Sequence, residues 1–175
     1  QIPSCDPAAR PFATRTFQSH VSSSALFHLS ENGPDMIIEY AAAYVVTLVI
    51  FLSIDAVWLG TMANLLYKPT LGDILLSKFS PAPAIFFYLI FIVGILIFAI
   101  TPAMKDGQWT TALLYGALFG FFSYGVYDFT NMATLRNWSL TITLADLCWG
   151  TVLTGTSASL GYMLSGLALR ALHMT

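Results

Sequence analysis

Three aspartates stand where apolar sequence should run unbroken. Asp55 lies late in one hydrophobic run, Asp128 closes a second that begins at Thr111, and Asp146 sits early in a third. A carboxylate at membrane depth costs roughly 3 kcal/mol or more unless it is paired, protonated or wetted. Acids at such positions are therefore either bound into a polar network or used. Carboxyls there can relay protons, hold a hard cation such as Mg²⁺ or Ca²⁺ through oxygen, or serve as acid and base. Tyr127 and Asn131 flank Asp128, Trp58 follows Asp55 by one helical turn, and Trp149 lies close to Asp146. The structural alternative is a set of carboxyls capped by Tyr, Asn and Thr that keeps a bundle in register. Trp at this level is also the ordinary residue of an interfacial belt.

The elements that must position these acids follow from composition. The chain is 57% hydrophobic and only 9% charged, far too apolar for an ordinary soluble domain. Four runs approach or reach the roughly 20 helical residues needed to cross a hydrocarbon core. The expected class is all-α, a four-transmembrane-helix bundle. Its helices are expected at about 37–60, 84–100, 110–131 and 140–169, within a membrane domain of residues 36–175 preceded by an extension, residues 1–35. With that count, helices 1 and 3 end, and helices 2 and 4 begin, on one side. Asp55, Asp128 and Asp146 then converge on one leaflet, with Tyr127 and Asn131.

Packing signals accompany the acids. Ala43, Thr47, Phe51 and Asp55 recur every four residues on the first helix. Gly116 and Gly120 give close-approach spacing on the third, and Gly150, Thr154 and Ala158 continue a small-residue stripe from Asp146 on the fourth. The second helix holds no ionisable residue and is expected to face lipid or a partner subunit. Between helices 1 and 2, Thr70-Leu71-Gly72-Asp73 has capping-box-like spacing ahead of Ile74, Leu75 and Leu76. Flanked by Lys68 and Lys78 and ended by Pro81 and Pro83, it predicts a short interfacial helix.

Other classes are set aside on the same ground. No basic cluster points to nucleic acid, and no P-loop, zinc motif or Ser-His-Asp arrangement is visible. His20, His28 and His173 all lie outside the expected spans, and Cys5 and Cys148 are too differently placed to pair. The basic residues on the two sides give no usable orientation. Asn137-Trp138-Ser139 matches a glycosylation sequon but lies too near the membrane to carry weight. The extension is rich in Ser, Thr, Pro and Ala, with Arg10 and Arg15 and few acids, as in organellar targeting sequences; a plain disordered tail is the alternative. A chain starting at Gln1 rather than Met is expected either to have been processed or to have an incompletely known start.

Four segments carry a resemblance: Asp55-Ala56-Val57-Trp58-Leu59-Gly60, Phe87-Tyr88-Leu89, Tyr127-Asp128-Phe129-Thr130-Asn131-Met132-Ala133-Thr134-Leu135, and Asp146-Leu147-Cys148-Trp149-Gly150-Thr151. With them, about residues 38–164 resemble a family of small bacterial membrane proteins classed as a domain of unknown function. The resemblance implies a four-helix architecture and no reaction. A bacterial-type core behind a presequence-like extension is expected of an organellar protein.

Two functions follow as expectations. The first is an accessory subunit of a large energy-transducing complex, in the thylakoid (slightly favoured) or the mitochondrial inner membrane. Its partners would be other membrane subunits and lipid, with chlorophyll or a carotenoid as a bound pigment in the photosynthetic case. The second is a small membrane enzyme or ion or proton carrier that uses Asp55, Asp128 and Asp146.

Overall fold

The computed structural model describes residues 33–72, 74–136 and 138–173. The extension before Gly33, the capping residue Asp73 and the sequon's Asn137 lie outside the described residues. Every element among them is helical. Helix α1 is Gly33–Met62 and continues through a π turn, Ala63–Tyr67, into Lys68–Leu71. Helix α2 is Pro81–Ile95 and continues through a second π turn, Leu96–Ile100, into Thr101–Asp106. Helices α3, Trp109–Thr134, and α4, Leu140–His173, complete the bundle. Among the described residues, three stretches are long and apolar enough to cross a membrane: Asp35–Leu71, Pro81–Asp106 and Leu140–Ala171. Helix α3 has 26 residues, but Gly, Ser, Thr, Tyr and Asn dilute its hydropathy.

The sequence expectation ends the first helix at Gly60 and the second at Ile100, before Pro102, and both run on. Proline has no N–H for a helical bond and its ring crowds the carbonyl four residues back, which makes Pro69 and Pro102 difficult positions within a helix. In the structure each follows a π turn, whose wider bonding pattern absorbs the defect. The Lys68 N–H bonds to the Ala63 carbonyl, and the Thr101 N–H bonds to the Leu96 carbonyl. Helix α1 therefore runs past Gly60 to Leu71, and the separate interfacial helix expected after Thr70 is replaced by its last turn and by turns and bends over residues 74–80. Helix α2 likewise runs past Thr101. Its start is earlier too, because Pro81 and Pro83 fit a first turn where the missing N–H costs nothing. Gly107, at φ 70°, ends it in the left-handed conformation.

Helices α3 and α4 make the closest pair. A Cβ on Gly116 would stand 2.8 Å from the Cβ of Ala158, one on Gly120 2.1 Å from the Gly150 carbonyl oxygen, and one on Gly150 2.3 Å from the Tyr124 ring. The contacts step by four residues in opposite directions along the two helices: Gly116 with Ala158, Gly120 with Thr154, Tyr124 with Gly150. Helix α1 meets α4 at Gly161, where a Cβ would be 2.1 Å from Thr47 Oγ1. The core of α1, α2 and α4 is filled by Phe51, Ile92, Ile95, Ile100 and Leu153, all fully buried.

Gly120→Ala is expected to force two backbones apart, because the obstruction is a carbonyl and not the end of a flexible side chain, at about 1–3 kcal/mol. Gly60→Ala meets nothing within 4 Å and should stabilise by up to about 1 kcal/mol through helix propensity. Denaturation in mild detergent checks both signs; equal behaviour of the two variants would refute the close-contact ladder.

Candidate functional site

The ladder between α3 and α4 has one further rung. One step of four residues beyond Tyr124 and Gly150 come Asp128 and Asp146, on the same faces of their helices. Both lie less than two turns from the loop that joins the helices. Small residues bring the helices together, and the acids stand where that contact ends.

Aromatic donors from three helices gather on two of the three carboxyls. Asp55 accepts from Tyr88 Oη of α2 at 2.6 Å through Oδ2, and from Trp149 Nε1 of α4 at 3.1 Å through Oδ1. Asp146 accepts from Tyr67 Oη at the end of the first π turn. Tyr67 in turn accepts from Trp58 Nε1 at 3.1 Å. Trp58 and Trp149 stack with centroids 4.2 Å apart and planes 8° from parallel. Two hydrogen-bonded groups, Tyr88–Asp55–Trp149 and Trp58–Tyr67–Asp146, are therefore held side by side by the stacked indoles. In a medium of low dielectric such bonds are strong, and an unmade one is costly.

Asp128 stands apart. It is fully buried, and among the described residues neither of its oxygens has a hydrogen-bond partner. The residues flanking it do not serve it. Tyr127 is 58% exposed and packs edge-on against Trp138, with centroids 5.8 Å apart, and Asn131 is only half-buried. Trp138 Nε1 donates to Thr143 Oγ1 at 3.1 Å, and Ser139 Oγ accepts the Thr141 N–H at 3.1 Å, so these two loop side chains bond to the first turns of α4.

Among the described residues no group of three or more His, Cys, Asp or Glu side chains could hold a metal ion. Sequence reasoning missed Tyr67 and Tyr88, and it read α2 as a helix without polar function. The available signal was the phenol itself, since a buried Tyr hydroxyl needs a partner, and few groups other than the acids could provide one.

Tyr88→Phe is expected to leave Asp55 Oδ2 without its donor and to destabilise the protein by about 1–3 kcal/mol. In an Asp55→Leu background, which has no acceptor for the phenol, the same change should cost less, because the two side chains share one interaction. Denaturation of the four proteins of this cycle checks it; additive losses would mean that the bond contributes nothing.

A family model described as "Predicted membrane protein (DUF2177)" matches residues 40–163. No curated protein and no solved structure matches the chain.

Proposed function

The chain belongs to this family of membrane proteins, and from that premise we propose that it is an integral membrane subunit whose acid layer is a structural clasp. The observation that carries this reading is the hydrogen bonding of Asp55. Each of its oxygens accepts from a donor on another helix, so the carboxyl joins α1, α2 and α4. Helix α3 is read as a fourth crossing. It has the length, its only acid is Asp128, and it presents Leu114, Leu118, Phe122 and Val126 outward. The outer face of α2, with Ile85, Phe86, Ile90, Val93 and Ile97 exposed, suits either lipid or a neighbouring subunit. A larger organellar complex, photosynthetic before respiratory, is the setting that the composition of residues 1–35 favours. Isolation in mild detergent tests the assembly. Co-purification of the same membrane proteins through successive steps is expected, and a stable lone monomer with its own activity would overturn it.

One observation favours a second reading. Asp128, buried without a partner among the described residues, is a carboxyl free to exchange a proton or meet a cation, as a small carrier requires.

Substitution separates the two. Asp→Asn keeps shape and hydrogen-bonding capacity, whereas Asp→Leu strands the former donors at about 1–3 kcal/mol for each buried group. A clasp at Asp55 and Asp146 should tolerate Asn better than Leu, judged by the amount of folded protein in the membrane. A carrier would instead accumulate normally as Asp128→Asn and lose its transport, because an amide cannot cycle a proton.

A further inference from the structure

The end of the bundle away from the acids holds a cavity of ≈ 580 Å³, formed by the first turns of α1, the end of α2 and the last turns of α4. Asp35 and Glu39 line it from α1, and Arg170 lines it from α4. The antiparallel register of these helices explains the arrangement. Thr47 meets Gly161, so steps of four residues bring Ala43 level with Ser165, and Glu39 level with Leu169, the neighbour of Arg170. Ala43 and Ser165 are both buried and close the inner end. Further out, charges of opposite sign stand on opposite walls of an open space, with Ile38, Met104, Tyr162, Gly166 and Leu169 also in the lining.

We propose that this cavity binds the headgroup of a phospholipid that carries a primary amine. Asp35 and Glu39 are one helical turn apart and offer their carboxylate oxygens to an ammonium, which has three N–H donors. Arg170 presents a planar guanidinium suited to a phosphate. Ile38, Met104 and Leu169 meet the glycerol and the first acyl carbons. Both charges of the lipid are matched in one site, at the helix ends where headgroups lie. A quaternary ammonium has no N–H to give, and its methyl groups hold the charge away from the carboxylates. A glycerol headgroup would set a net anion against two acids without a compensating cation. The inference rests on α1, α2 and α4 crossing the membrane, and on neither the larger assembly nor the acid layer.

The test uses the full chain in lipid nanodiscs, with retained lipid read by native mass spectrometry after transfer to mild detergent. Phosphatidylethanolamine is expected to be retained about tenfold over phosphatidylcholine, the scale of one charge-assisted hydrogen bond. Its mono- and dimethyl forms should fall between them in order of remaining N–H groups. Asp35→Asn with Glu39→Gln should abolish the ranking, and Arg170→Gln should reduce retention of every member of the series. Equal retention of all four amines by the wild type would overturn the proposal, as would preference for phosphatidylglycerol. So would a ranking that survives the double substitution, which would place the lipid elsewhere. The wild-type series decides the matter even if a variant fails to fold. Failure to enter the nanodisc would count against the crossing helices themselves, and is distinct from entry without selectivity.

Discussion

The contact between α3 and α4 is the constraint on which the rest depends. Without water to expel, helices in a membrane associate through packing and interhelical bonds, and small residues allow backbones to touch. Gly116, Gly120 and Gly150 lie where any side chain would strike the opposite helix. Such a contact has one register, because displacement by a single residue replaces a glycine with a bulky neighbour. The fixed register sets Asp128 against Asp146. From Asp146 the order spreads outward, since Tyr67, Trp58, Trp149, Asp55 and Tyr88 each find a partner only if the one before is in place.

Helix existence was legible in the sequence, because a polar break within an apolar run cannot be hidden and the runs are long. The residues of the small-residue stripes were legible too, since a four-residue step on a helix has one geometric meaning. Helix ends were not. Pro69 and Pro102 have the local chemistry of terminators, and only the surrounding bundle determines that the chain passes each by widening a turn. The four-crossing reading depends on α3, whose glycines lower its hydropathy for the same reason that they let it pack.

The site was half legible. An aspartate in an apolar run announces itself by its cost, so Asp55, Asp128 and Asp146 could be named from type and position. The donors could not. A tyrosine or tryptophan near a membrane surface has an ordinary interfacial role, and nothing local separates Tyr67 or Tyr88, which bond to a carboxyl, from Tyr127, which faces outward. Adjacency misled in the case of Asp128, because neighbours in sequence point to different sides of a helix. The partners of Asp55 come from 33 and 94 residues away, and Asp128 has none among its neighbours.

The first π turn ends on Tyr67. A π turn is an α-helix carrying one residue too many, and each residue of an α-helix turns the chain by about 100°. Deleting any one of Ala63, Asn64, Leu65 or Leu66 would let the helix close into regular form and swing everything beyond it by that angle. The tyrosine would then leave Asp146, although every side chain that makes the contact were still present. At this point the chain is constrained in its count as much as in its chemistry, and an alignment that allowed a gap here would join proteins with different hydrogen-bond networks.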